Sequence, residues 1–424
     1  MKKYTRYKSV ISGLIILGIS TLLGGCSNSG TTENLSDDIS KADIAPIVID
    51  DPSNQEANKT GEILGFSLEL LNGLQEDDQQ QNILISPYSI ITALAVTGNG
   101  ADNETLAEME ATFGADMASL NEFLYAYNHY LSTNESCEVE GANSIWIKDD
   151  DGIAVQEEFL QINKNYYDVD IYKTVFDSQT VNDINNWVNK ETDGKIDDML
   201  KKIDEDVIMY LINALSFDAE WDVIYKEDQV REGEFTTAAG DVQVVDFLHS
   251  DESEYIEVNG GVGISKPYVD GEYSFVAILP DGDIQEFIME LHYEELLDAM
   301  ENPSVESVIT SIPKFSFEYE EELSEQLKEM GIETAFDSEA ADFQQMVTSV
   351  NGNVYINKVL HKSYISVDEK GTEAGAATVV EVMEETAAYI EDFKEVKFDR
   401  PFLFMIVDNQ FHLPIFMGVV ESAL

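Results

Sequence analysis

The sequence predicts one mixed α+β domain over residues 61–424, and three observations lead there. Helical and strand-like periods alternate along the chain without a seam. No internal repeat and no second Pro/Gly/Ser-rich linker divides that stretch, although its length would allow two domains. The 424-residue chain is 44% hydrophobic and 10% aromatic, which is enough to bury a sizeable core.

Residues 1–25 read as an export signal. Lys2, Lys3, Arg6 and Lys8 precede an uncharged, mostly apolar run from Val10 to Leu23, too short to span a bilayer comfortably. The run ends in Leu23-Gly24-Gly25-Cys26, which is similar to the lipobox of bacterial lipoproteins. That resemblance implies that Cys26 takes a diacylglyceryl group. The expected product is exported and lipid-anchored at the bacterial cell surface or membrane exterior. Residues 26–60 are rich in Ser, Thr, Asn and Asp with no period of 2 or 3.6, and read as a flexible tether.

Helical spacing follows from Gly61 to Leu74. It returns from Asn103 to Leu131, where Leu106, Met109, Phe113, Met117, Leu120, Leu124 and Tyr127 recur at threes and fours. Short β-branched or aromatic runs predict strands at Ser144–Ile147, Val207–Leu215, Tyr273–Leu279, Val308–Ile312, Val354–Ile356 and Phe402–Val407. From Gly371 the residues turn small and the helix and strand patterns break off. Laid out as a strand, this stretch would place Thr372, Ala374, Ala376 and Thr378 on one face, and Glu373, Gly375, Ala377 and Val379 on the other. The first face is small throughout, so this piece can be a loop yet is shaped to enter a sheet.

Charge removes whole classes of function. Against 24 Lys+Arg stand 83 Asp+Glu, a formal charge of -59, which repels nucleic acid and anionic lipid alike. Residues 1–60 hold six Lys/Arg and seven Asp/Glu, so the acidity belongs to the domain. The same charge repels a heparin-like polyanion, and none is expected as a partner. Six basic residues, Lys358, Lys362, Lys370, Lys394, Lys397 and Arg400, gather near the C-terminus. Cys137 lies among Glu135, Glu138 and Glu140, which disfavour its thiolate, and with Cys26 acylated it has no disulfide partner. The five histidines show no zinc spacing, and no nucleophile elbow, dinucleotide turn or Walker loop is present. Neither a metal, a cofactor nor an enzyme activity is expected.

Long motifs in a fixed order give this chain its resemblance. Asn82-Ile-Leu-Ile-Ser86-Pro87-Tyr-Ser89-Ile90, Ile184-Asn185-Asn-Trp187-Val188 and Leu211-Ile-Asn213-Ala214 with Trp221 come first. Ile312-Pro313-Lys314-Phe315, His361-Lys362, Asp368-Glu369-Lys370-Gly371-Thr372-Glu373-Ala374 and Pro401-Phe402-Leu403-Phe404 follow. Over nearly all of 61–424 the chain resembles the serpins, the serine-protease-inhibitor family. The resemblance implies three β-sheets with about nine helices and an exposed reactive loop over about 369–398. It also implies a mechanism: a serine protease attacks the loop, forms an acyl-enzyme, and is carried across the molecule as the cut loop enters the main sheet. About ten new backbone hydrogen bonds at about 1 kcal/mol each would drive that step.

By position, Ser86, Ser89, Asn213 and His361 match the family's polar cluster beneath the sheet that must part; Trp221 lies near the insertion point, and Lys314 with Glu369 matches a hinge ion pair. The hinge, Glu369 and Gly371 through Thr378, carries no proline, aromatic residue or inward charge, as an inhibitory hinge requires. Counting 16 residues on from Glu369 gives Glu385-Thr386 as the nominal scissile bond, while counting back from Pro401 gives Ile390. The first count is preferred, because insertion depends on the N-terminal side of the cut. Glu385 suits a glutamyl-preferring protease; the nearby Thr386, Ala387 and Ala388 suit an elastase-like pocket, and Tyr389 a chymotrypsin-like one. A monomer is expected. The alternatives are a non-inhibitory surface binding module and a cysteine-protease inhibitor using the same loop.

Overall fold

A computed structural model describes residues 32–49, 55–76, 81–132, 138–150, 152–196, 198–203, 207–350, 353–372 and 393–424. Cys26, Glu373 to Thr378 and Glu385 to Tyr389 lie outside the described residues. The unit from Thr32 to Leu424 is compact. It begins with β1 (Glu33–Asn34), α1 (Thr60–Glu76) and β2 (Ile83–Ile85). Ser86 then caps α2 (Pro87–Gly98) by accepting from the Ser89 amide, and the proline at its first turn forfeits only an amide that had no partner. Every residue of α2 is buried.

The helical run expected over 103–131 is two helices, α3 (Asn103–Phe113) and α4 (Met117–Leu131). Gly114 ends α3 in the left-handed region, φ 68°, which a side chain would strain, and Asp116 caps the next helix. After β3 (Glu138–Lys148), β4 (Ile153–Val155), α5 (Glu157–Tyr166) and β5 (Asp170–Thr174) comes α6 (Ser178–Glu191), started by an Asp177/Thr180 capping box. Then follow β6 (Met209–Glu220), β7 (Val230–Thr236), β8 (Val242–Val258), β9 (Gly261–Pro267) and β10 (Tyr273–Pro280). α7 (Ile284–Glu290), α8 (Tyr293–Glu301), β11 (Ser304–Pro313), β12 (Phe315–Glu322), α9 (Ser324–Glu329) and β13 (Val347–Ser349) precede β14 (Lys358–Val367). β15 (Gly371–Thr372), β16 (Lys394–Lys397), β17 (Phe402–Asp408) and β18 (Pro414–Val420) close the chain. Val354 and Ile356 are buried but form no strand: the Ile356 amide bonds to the Ala335 carbonyl outside any ladder.

Among the described residues, nine α-helices surround three sheets. The main sheet has the order β1-β5-β3-β6-β15-β14-β12, and a second has β16-β11-β8-β9-β10-β17-β18-β2, with β7 paired to β8. β13 and β4 form the third. Alternation along β6 buries both faces of the main sheet. Leu211, Leu215 and Phe217 join the large core with α2, whereas Tyr210, Ile212 and Ala214 pack with Trp146, Ile184 and Trp187 beneath α6.

The tether expected over 26–60 is corrected by residues 32–49, which lie on the body. β1 adds an edge strand to β5, with Glu33 opposite Lys173 and Asn34 opposite Tyr172. Ser36 Oγ accepts from the Ile171 amide at 3.1 Å, Asn34 Nδ2 donates to Asp170 Oδ1 at 2.9 Å, and Tyr125 Oη donates to the Ile44 carbonyl at 2.8 Å. Ile49 is buried in the core. Polar side chains here bind the protein where the composition suggested that they bind water.

Candidate functional site: the seam of the main sheet

β6 and β14 pair side by side and parallel, from Lys358 opposite Tyr210 to Ser363 opposite Leu215. Beyond Ser363 they diverge, and β15 fills the gap antiparallel to both, with Gly371 opposite Glu220, Thr372 opposite Ala219, and Thr372 also opposite Val367. The seam is therefore closed along most of its length and wedged open at one end. A strand continuing from β15 would find ladder partners on both sides, but only if the β6–β14 pairing parted. Position 371 has to be glycine, since a Cβ there would lie 2.0 Å from the Ala219 carbonyl oxygen. Thr372 is buried, and its hydroxyl meets Tyr268 Oη at 2.5 Å.

Polar groups from three elements meet across the closed part. Asn213 on β6 lies opposite His361 on β14, and its Oδ1 is 2.9 Å from His361 Nδ1. Asn213 Nδ2 donates to Ser89 Oγ on α2, and to Asn143 Oδ1 on β3 at 2.7 Å. Ser89 is in turn held by its own amide on the Ser86 hydroxyl. Ser86, Ser89, Asn213 and His361 are all buried. Burial pushes the His361 imidazole down to about 4, partly opposed by the Leu84 backbone, so the ring is neutral at pH 7. A hydrogen bond between neutral groups can be broken without stranding a charge, which suits a seam that opens.

At the wedged end Trp221 donates from Nε1 to the Asp368 carbonyl at 2.9 Å and from its amide to the Lys370 carbonyl at 2.8 Å. Its indole stacks on Tyr268, with ring centroids 4.6 Å apart. Lys314 Nζ meets Glu369 Oε2 at 2.5 Å, and that hydrogen bond holds the Glu369 carboxyl below its ordinary value. The structure thus gathers Ser86, Ser89, Asn213 and His361 at the closed seam, and Trp221, Lys314, Glu369, Gly371 and Thr372 at its open end.

Other residues belong with these and were not anticipated as site residues. Lys266 is buried, paired with Glu252 at 2.8 Å, and sits over the rings of Trp221 at 5.5 Å and Tyr225 at 4.7 Å. The Tyr225 amide donates to the Glu369 carbonyl at 2.8 Å. In the sequence Lys266 stands out only as one of 24 basic residues in a strongly acidic chain. Nothing in the sequence pairs it with Glu252.

A three-sheet α+β fold, with β6 and β14 paired parallel at the centre of the main sheet and a short strand seated between their diverging ends, defines the class of protein. The chain belongs to the serpin family: the family described as Serpin (serine protease inhibitor) matches residues 62–423. It is 33% identical over 355 residues to an uncharacterized serpin-like protein of Methanosarcina mazei, covering 80% of this chain and 81% of that one. Among solved structures it resembles a thermophilic serpin, tengpin, in the native state, with 44% identity, a TM-score of 0.85, and coverage of 92% of this chain and 99% of the other. Against tengpin in the latent state the TM-score is 0.75 at 40% identity, over 91% of this chain and 100% of the other. Serpins are generally protease inhibitors rather than enzymes, and generally target serine proteases.

Proposed function

We propose that this protein is an inhibitory serpin, lipid-anchored at Cys26, which traps serine endopeptidases irreversibly through its loop. The observation that carries the reading is the wedge itself: Gly371 and Thr372 sit antiparallel between β6 and β14 and start the register of a complete strand. Continued one for one, that register brings Val382 opposite Met209, the first residue of β6. Because the Thr372 side chain is buried, Ala374, Ala376, Thr378, Val380 and Val382 would share its inward face, and all are small or apolar. On the other face the same register sets Glu373 opposite the half-buried Asp218 and Glu381 opposite Tyr210, in the cluster beneath α6.

The chemistry is acyl transfer. The protease serine Oγ attacks the carbonyl carbon of the bait residue, the peptide bond to the next residue breaks, and the departing amine takes the proton and becomes a new N-terminus. An ester then joins protease to loop. Water would normally hydrolyse that ester; insertion of the freed strand must outrun it and distort the enzyme.

Incubation with subtilisin, an elastase and a glutamyl endopeptidase tests the reading. The expected products are a complex stable in SDS and a released C-terminal peptide whose mass places the cut between Met383 and Tyr389. A cut N-terminal to Glu381 would leave too little chain to fill the seam and would overturn the mechanism. Cleavage with no complex and no gain in thermal stability would mark a binding module.

A further inference from the structure

Thr32, the first described residue of the docked N-terminal segment, lies at the pole opposite the wedge. Thr32 Oγ1 bonds Thr174 at 3.2 Å, Thr174 lies opposite Lys148, and the Lys148 amide bonds the Ile208 carbonyl at 2.9 Å. This row runs past the Met209 end of β6, whereas Gly371 pairs at the Glu220 end. Only residues 27–31 separate Cys26 from Thr32. Fully extended, those six peptide steps reach about 20 Å. A free tether over 26–60 would have allowed the body to stand much farther off.

Insertion would end in the same row. The register that begins at Gly371 brings Met383 opposite Ile208, so a protease bound at or just beyond Met383 arrives at the pole from which residue 32 emerges. Four strand spacings of about 4.8 Å put the two points about 19 Å apart. A protease of about 220 residues is about 45 Å across, so its radius exceeds that separation and its diameter exceeds the reach of the tether.

We propose that residues 27–31 hold the loop-distal pole at the membrane, so that the anchored molecule offers its loop outward for attack but obstructs arrival of the protease. Full inhibitory efficiency then belongs to protein released from the membrane. This inference rests on the lipidation and inhibition readings above. Obstructed insertion leaves the acyl ester exposed to water, whose oxygen adds to the acyl carbon while the serine oxygen leaves with a proton. Free protease and spent, cleaved inhibitor result.

The test compares three proteins: the lipidated chain in phosphatidylglycerol/phosphatidylethanolamine vesicles, the same chain with a Gly/Ser spacer of about 40 residues after Ser29, spanning about 35 Å r.m.s., and a soluble chain over residues 26–424 with Cys26→Ser. Each is titrated with the protease that the soluble form traps. The expected result is several-fold more inhibitor consumed per protease by the anchored chain, with a matching rise in cleaved over complexed product, and recovery to the Cys26→Ser value with the spacer. Equal stoichiometry for anchored and soluble forms, or a spacer without effect, overturns the proposal. Failure of the lipidated chain to float with vesicles overturns the anchor reading, and absence of any complex with Cys26→Ser overturns the inhibitory one; either removes the proposal with it.

Discussion

His361 shows what single side chains contribute at the seam. Its folded value of about 4 lies below the 6.5 of an unfolded histidine, so between those limits the unfolded chain binds more protons. The stability this residue contributes is fully present above pH 6.5 and is lost as the pH falls through about 4. The shift corresponds to on the order of 3 kcal/mol. Urea titrations should therefore show stability falling across pH 6.5 to 4 more steeply in the wild type than in His361→Gln; parallel curves would refute this. His361 was legible in the sequence as a buried histidine, but its partner was not, because Asn213 lies 148 positions away. The Lys266–Glu252 pair escaped for a different reason. In a chain with 83 carboxylates, the one that enters the core beside a lysine is chosen by sheet register, which charge patterning does not encode.

At the scale of elements, apolar patterning located segments whose side chains fill the core, such as β10 and β17, and failed where polar groups decide. α1 and three strands of the second sheet, β10, β11 and β17, stand close to where their apolar spacing put them, whereas the other strands of that sheet were not anticipated. Residues 32–49 were read as a tether because Ser, Asn and Thr that bond to water and those that bond to a sheet edge look alike in composition. Ile49 provides the measure of this docking. If the segment folds with the body, Ile49→Ala should cost about 2–4 kcal/mol, lowering the urea midpoint with an unchanged slope. An unchanged midpoint would mean that the segment adds nothing to the cooperative unit. The break at Gly114 was legible in principle: a glycine three residues before Met117, followed by a capping aspartate, is a stop and a start.

For the whole molecule, the charge read from the sequence stands, but its local pattern changes. The basic residues that gather near the C-terminus are largely matched by carboxylates. Lys362 is buried near Glu318 and Glu320, Lys394 faces Glu306, and Lys397 and Arg400 share Asp399. A formal charge of -59 therefore sets the sign of the long-range field. Its range shrinks from about 30 Å at 0.01 M salt to about 8 Å at 0.15 M. Stopped-flow association with a cationic protease should slow steeply over that interval, and with an acidic protease should not; a flat response to salt would leave the charge with no part in encounter.

The twelve residues of β6 also act as a ruler. A loop measured against them has to match in length from Gly371 to the row of Met209, and each residue too many or too few displaces the far end by about 3.3 Å. Beyond that row the ruler has no marks. The region after Met383, where this chain carries about five residues more than the family spacing suggests, is therefore free to vary in length and sequence. Under the proposed mechanism, a lineage could re-aim the inhibitor at new proteases by editing one side of the bait, while the other side stays fixed by the geometry of a single strand.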